Sequence, residues 1–156
     1  MTSNRNHDLP LDRLQQQLRL ASAVTPDLVR EMTAEVCTRL PMLAKAGKAG
    51  HIDRLITAGA WSDVALALIE IELPAWKLRR LVQEDGEWFC SLSRDLNLPL
   101  AIDDTADARH EILPLAILCA FIEARLKSRA AGESQSTPAL QNWFAPGDSV
   151  CCDNFA

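Results

Sequence analysis

The chain has 156 residues, of which 48% are hydrophobic and 24% are charged, a balance that supports one globular domain with a buried core. Its net charge of −5 gives the chain an overall negative field, which repels the phosphates of nucleic acids. The longest uncharged apolar run, residues 112–122, is shorter than the roughly 20 residues of a membrane-spanning helix. Composition therefore favours a soluble protein that does not cross a membrane.

The cysteines and the first residues bear on the cellular compartment. An odd cysteine count without paired spacing, after a polar stretch at residues 1–10 that lacks a signal-peptide core, predicts reduced thiols in a cytoplasm. The five cysteines are Cys37, Cys90, Cys119, Cys151 and Cys152.

Helical signals dominate the first part of the chain. A first helix is expected to begin near Asp8 and to bury a narrow leucine stripe. Thr25, followed by Pro26 and an acidic residue, predicts the N-cap of a second helix. Apolar residues continue at helical spacing to Leu43, and Pro41 is expected to kink or break this helix.

Two further helices are expected before the middle of the chain. Residues 51–58 predict a short helix closed by Gly59. Ser62 is the expected N-cap of the next helix, whose body at residues 64–73 is apolar almost all round and is therefore expected to be central and buried. Pro74 ends it.

A β-hairpin is predicted at about residues 75–94. Two β-prone runs, 76–83 and 87–94, flank Glu84-Asp85-Gly86, and Asp-Gly between strands is a strong hairpin signal. Because an isolated hairpin is marginally stable in water, we expect it to pack on helices. The fold class is therefore α+β, a mostly helical single domain with one antiparallel β-hairpin packed on helices.

Two registers are possible for this hairpin. A two-residue turn pairs Val82 with Phe89 and leaves both faces mixed. A three-residue loop with Gly86 as a bulge pairs Val82 with Trp88 and separates apolar from polar side chains. We expect the second, which also pairs Leu78 with Leu92. The residues expected on its buried face are Trp76, Leu78, Val82, Trp88, Cys90 and Leu92.

The last part of the chain predicts one long helix and a tail. Asp103-Asp104-Thr105 forms an acidic N-cap cluster for a helix to about Ser128, with Pro114 kinking it or marking a second start. From residue 130 the sequence is small and polar. We expect a domain over residues 1–129 and a disordered tail over 130–156.

No catalytic, metal-binding or cofactor-binding residue is predicted. His110-Glu111 begins like a zinc-protease motif, but Pro114 occupies the position of the second histidine. Asp103 and Asp107 could line a cation site, yet acids at a helix start are explained by the helix dipole. The cysteines in apolar runs are expected to be buried hydrophobic residues rather than nucleophiles.

A winged helix-turn-helix is the alternative interpretation of the order helix, turn, helix, hairpin. Its second helix would carry Asp63, Glu70 and Glu72, which repel phosphate, and its hairpin tip is acidic. These charges therefore argue against nucleic acid as the ligand.

Candidate partner-binding residues lie in two places. Leu140, Trp143 and Phe144 recur at i, i+3 and i+4, the spacing of a helix that anchors in a partner's groove. Arg79 and Arg80 lie on the hairpin, where Arg80 is expected to need a carboxylate partner. The sequence thus predicts a non-enzymatic accessory or protein-interaction module that binds a protein partner or a second copy of itself.

The chain resembles a set of small uncharacterised proteins of α-proteobacteria, of rhizobia especially. The resemblance is carried by residues 61–94, WSDVALALIEIELPAWKLRRLVQEDGEWFCSLSR. The resemblance extends to residues 106–126 and to the CCDNFA ending, so that it covers about two-thirds of the chain. It implies a bacterial cytoplasmic protein and attaches no activity, ligand or site residue.

Overall fold

The computed structural model describes residues 5–134, with side chains over residues 10–132. This range forms six helices and a three-stranded antiparallel sheet in the order β1-β2-β3, which confirms the α+β class and adds one strand to the predicted hairpin. The elements are α1 (Arg5–Leu20), α2 (Pro26–Val36), α3 (Arg39–Lys45), α4 (Gly50–Ala58), α5 (Trp61–Glu72), β1 (Lys77–Glu84), β2 (Glu87–Ser93), β3 (Ala106–His110) and α6 (Leu113–Ser134).

The chain divides into two compact units, Met1–Leu126 and Lys127–Ala156. The first contains α1 to α5, the sheet and most of α6, and the second begins inside α6. Because α6 ends at Ser134, it extends past the predicted end at Ser128. The rest of the predicted disordered tail, from residue 135 onward, lies outside the described residues.

The second helix begins as its capping signal predicts and ends earlier than predicted. The backbone N–H of Leu28 donates to Thr25 Oγ1 at 3.2 Å, which confirms the N-cap. The helix stops at Val36, and a new helix starts at Arg39. Pro41 was therefore not the break: it lies in the first turn of α3, where its missing N–H would have no intrahelical partner.

A buried carboxylate explains where α3 starts. Glu72, only 3% exposed at the end of α5, accepts hydrogen bonds from the backbone N–H groups of Thr38, Arg39 and Leu40 at 3.0, 2.9 and 2.7 Å. These are N–H groups at the start of a helix that intrahelical bonds cannot satisfy. The one buried acid of α5 thus acts as a cap for a helix more than thirty residues earlier in the chain.

The predicted α4 is confirmed, and Gly59 ends it in the left-handed conformation with φ of 67°. The next helix begins at Trp61 rather than after Ser62, and its N-cap residue Ala60 makes no side-chain cap bond. The expected Ser62 cap was therefore wrong by two residues. Burial is only partly as expected, because one side of α5 is enclosed in the core, whereas Leu66, Ala67 and Ile71 are half-buried and Glu70 is exposed.

The hairpin has a two-residue turn, so the predicted three-residue loop was wrong. Asp85 and Gly86 both have positive φ, 53° and 83°, and Glu84 pairs directly with Glu87. Such a turn matches the natural twist of paired strands, and aspartate and glycine are residues that accept these angles. Val82 consequently pairs with Phe89 and not with Trp88.

A bulge restores the register farther from the turn. The pairing shifts by one residue between Leu78 and Arg80, so that Leu78 pairs with Leu92 as predicted. Leu78 is nevertheless 39% exposed, so its expected burial was wrong. Trp76 is buried and Trp88 packs half-buried against the same core, which agrees with the expectation that the two indoles share one side. The core-facing side chain near the turn is Leu81, not Val82.

Residues 106–110 form strand β3 instead of the first turns of the predicted helix. Burial alternates along them, with Ala106 and His110 buried and Asp107 and Arg109 exposed. Pairing with the central strand β2 overrides the weak β-propensity of this segment. The alternative of a second start is correct, because α6 begins at Leu113 with Pro114 in its first turn.

The buried core contains the first part of α6. Every residue at positions 115–122 is buried, so α6 is enclosed on all sides over two turns. Cys90 and Leu92 of the central strand are also fully buried, and the leucine stripe of α1 completes this core as expected.

Candidate protein-interaction surface

The connection between β2 and β3, residues 94–105, exposes a group of aliphatic side chains; we call it the aliphatic loop. Leu96, Leu98, Leu100 and Ile102 are 50%, 37%, 64% and 69% exposed. Single exposed leucines are ordinary on protein surfaces, whereas several exposed apolar side chains in one short loop make that loop a candidate contact site. Four such side chains within seven residues make this loop the candidate surface.

Hydrogen bonds within the loop give it a defined backbone. Asp95 Oδ1 accepts from the N–H of Asn97 at 2.9 Å, and the N–H of Asp95 donates to Ser93 Oγ at 3.1 Å. Farther along, the carbonyl of Pro99 accepts from the N–H groups of Ile102 and Asp103, both at 3.1 Å. These are the local bonds of successive turns, which favour Asp, Asn and Pro.

Arg79 holds the loop against the hairpin. Its guanidinium donates to Asp103 Oδ2 at 2.8 Å, to the carbonyl of Leu98 at 2.7 Å and to the carbonyl of Asp95 at 3.3 Å. Asp103 also accepts from the Ser93 hydroxyl at 2.6 Å. Because this arginine is the bulged residue of β1, the bulge directs its side chain to the loop.

The two arginines predicted as partner-binding residues have different environments. The side chain of Arg79 is 16% exposed and its ion-pair partner Asp103 is 3% exposed, so this pair lies inside the protein. Arg80 is half-exposed, pairs with Glu84 at 2.9 Å and lies 5.8 Å from the centre of the Phe89 ring. The expected carboxylate partner of Arg80 is thus Glu84.

The other predicted partner-binding residues, Leu140, Trp143 and Phe144, lie outside the described residues. Sequence reasoning missed the aliphatic loop because alternating aliphatic residues are as typical of a buried strand as of an exposed loop. The available signal was Asn97 and Pro99, which interrupt the run with turn-forming residues.

The three described cysteines are buried, and burial raises the pKa of each thiol. The values rise from 9.0 to about 12 for Cys37 and Cys90 and to about 11 for Cys119. The neighbouring carboxylates of Glu72 and Asp107 act in the same direction on Cys37 and Cys90, respectively. These thiols are therefore protonated near neutral pH and unsuited to nucleophilic attack.

Possible metal ligands make other contacts. Asp107 accepts from the hydroxyls of Ser91 and Thr105, and Nδ1 of His110 accepts from the N–H of Ile112 at 3.0 Å. Over residues 5–134 no group of three or more His, Cys, Asp and Glu side chains could hold a metal ion.

Comparisons with known proteins found no match. No family model, no curated protein and no solved structure is similar to this chain.

The helix that would read DNA in a winged helix-turn-helix is α5. Its apolar side is packed in the core, and its exposed acids Asp63 and Glu70 repel phosphate. The hairpin tip exposes Glu84, Asp85 and Glu87. Nothing in this arrangement favours nucleic-acid binding over a protein contact. In the described part of the chain, no helix is long and apolar enough to cross a membrane.

Proposed function

We propose that this chain is a non-enzymatic protein-interaction module of the bacterial cytoplasm, and that the aliphatic loop is its contact surface for a protein partner. The observation that carries the proposal is the combination of exposure and order. Four aliphatic side chains are open to water on a loop whose backbone is fixed by Arg79, Asp95 and Asp103.

Burial of these side chains supplies the binding free energy. Fully burying one leucine or isoleucine contributes about 1.5–3 kcal/mol, so four half-exposed side chains hold several kcal/mol that folding of this chain does not use. A loop that is already ordered loses little conformational entropy on binding, which leaves more of that free energy for affinity.

The surroundings of the loop indicate the chemistry of the partner. Arg94, Asp95 and Asp104 at its two ends are exposed and carry both signs of charge. A strongly acidic or basic partner therefore gains little here. The loop suits an apolar groove with a neutral or mixed polar rim, the usual arrangement of a transient protein interface.

Affinity capture with the full chain tests the proposal. We expect one partner to be retained by the wild type and to be lost at least about tenfold in Leu100→Ser/Ile102→Ser, because each substitution removes buried apolar area equivalent to more than 1 kcal/mol. Binding of the identified partner, once purified, is then measured directly with the same variants.

The matched control is Met42→Ser. Met42 is 69% exposed, as is Ile102, but it lies on α3. Retention of the partner by Met42→Ser together with its loss from the loop variant supports the proposal. Equal retention by both variants, or no partner recovered by the wild type, refutes it.

A further inference from the structure

Within residues 5–134 the sheet has two edge strands, β1 and β3, since each pairs there only with β2. β1 is interrupted by the bulge at Arg79, a common way to protect an edge from pairing. β3 pairs with β2 in an unbroken register from Ala106 to His110, so its outer edge is regular.

The turn geometry determines which backbone groups of β3 point outward. A two-residue turn makes Glu84 and Glu87 a hydrogen-bonded pair, and hydrogen-bonded and non-bonded pairs alternate along antiparallel strands. By this alternation Glu87, Phe89 and Ser91 of β2 direct their N–H and C=O groups to β1. Cys90 therefore directs its own groups to β3, where it forms a hydrogen-bonded pair with Ala108. The N–H and C=O groups of Asp107 and Arg109 therefore point away from the sheet.

A cleft lies beside this edge. A cleft of about 380 Å³ separates Gln15 and Arg19 of α1 from Asp107 and Arg109 of β3. Helix α1 thus borders the edge without filling the cleft. The outward backbone groups take part in no turn, loop or cap hydrogen bond over residues 5–134.

We propose that two copies of the chain associate by pairing their β3 strands antiparallel, centred on Ala108, to form a continuous six-stranded sheet. In this register Asp107 of one copy lies opposite Arg109 of the second copy, and the two-fold axis repeats the contact. Each such pair exchanges both N–H···O=C bonds, because these residues carry the outward backbone groups.

Charge complementarity favours this occupant. Asp107 and Arg109 project on the same face of β3, where Asp107 accepts from Ser91 at 2.6 Å and Arg109 lies over the Phe89 ring at 4.8 Å. Arg109 and Glu84 are both half-exposed and 3.9 Å apart, a weak ion pair that leaves the guanidinium available. Opposite charges directly across two strands stabilise the pairing, and like charges destabilise it.

An acidic peptide is a poorer occupant of the same edge. The adjoining cavity of about 410 Å³ shares Arg19 and Arg109 but is also lined by Glu87 and Glu111. Together with Asp107, these carboxylates would repel an acidic strand. A second copy brings one charge of each sign and meets both.

The test is the dissociation constant of the full chain, measured by sedimentation equilibrium. We expect a dimer for the wild type and at least about tenfold weaker association for Asp107→Arg and for Arg109→Asp, since each places like charges opposite one another in both symmetric pairs. Mixing these two variants should restore a dimer containing one copy of each, because every altered charge then meets its opposite.

Two proline variants separate edge pairing from folding. Arg109→Pro removes an outward N–H and should abolish the dimer while the circular dichroism spectrum is kept. Ala108→Pro removes an N–H that bonds to β2 and should lower the melting temperature. A monomeric wild type overturns the inference, and so does a dimer that Arg109→Pro and both charge variants leave intact. Leu100→Ser should not change the dimer, so this inference and the proposed function can fail separately.

Discussion

The pentapeptide LPLAI occurs twice in this chain, at residues 98–102 and 113–117, with opposite outcomes. In the first copy Leu100 and Ile102 are exposed on the aliphatic loop, whereas in the second Leu115 and Ile117 are fully buried in α6. The pentapeptide therefore does not determine by itself whether it is buried. Its burial depends on the flanking residues.

The flanking residues explain the difference. The second copy continues into a further apolar run over 118–122, and Pro114 occupies a first helical turn, where proline is tolerated. The first copy is followed by Asp103, which is fixed by Arg79 and Ser93 and holds the segment in turns. One copy builds the core, and the other leaves Leu100 and Ile102 exposed.

The largest difference in stability is expected when the equivalent leucine of each copy is replaced by alanine. We expect Leu115→Ala to lower the free energy of unfolding by about 2–5 kcal/mol, because it leaves a cavity in the core. Leu100→Ala should change it by less than about 0.5 kcal/mol. Urea unfolding of both variants checks this, and equal losses would contradict the contrast between the copies.

The second-largest difference in stability is expected between alanine variants of the adjacent residues Arg79 and Arg80. Arg79→Ala leaves the buried carboxylate of Asp103 without its ion pair, a loss of about 3 kcal/mol, and should expose the aliphatic loop to limited proteolysis. Arg80→Ala removes an exposed pair and should cost less than about 1 kcal/mol. If the loop of Arg79→Ala resists protease as the wild type does, Arg79 does not hold it.

The smallest expected effect is an alkaline loss of stability from Cys119, which follows the second copy in α6. Burial raises its pKa from 9.0 to about 11, so folding favours the protonated thiol. The contribution of this buried thiol to the free energy of unfolding is complete below pH 9 and is lost as the pH rises through 11. Near pH 9.5 the loss is about 1 kcal/mol. Urea unfolding at several alkaline pH values should show that the free energy of unfolding falls less steeply with pH in Cys119→Ala than in the wild type. Equal slopes would contradict this prediction.

Local chemistry accounts for the parts of the fold that could be predicted. The Thr25 cap, the left-handed Gly59 and the place of the hairpin turn at Asp85-Gly86 each depend on a few consecutive residues, although the length of that turn was predicted wrongly. The end of α2 could not be predicted in this way, because the carboxylate that caps α3 comes from Glu72 on another helix.

The candidate surface depends on long-range contacts to a greater extent. The bulge that aims Arg79 at the loop follows from combining a two-residue turn with the Leu78–Leu92 pair. Strand β3 exists because β2 offers it a bonded edge, despite a sequence with weak β-propensity. Neither feature can be read from the local composition of residues 94–110, where aliphatic, acidic and turn-forming residues alternate.

Site-specific photo-crosslinking in the native host tests whether the aliphatic loop contacts a protein partner. A photoreactive amino acid replaces Leu100 on the aliphatic loop or, as a control, Glu70, which is exposed on α5. We expect one discrete crosslinked protein, identified by mass spectrometry, from position 100 and none from position 70. No product from position 100, or the same product from both positions, would contradict it.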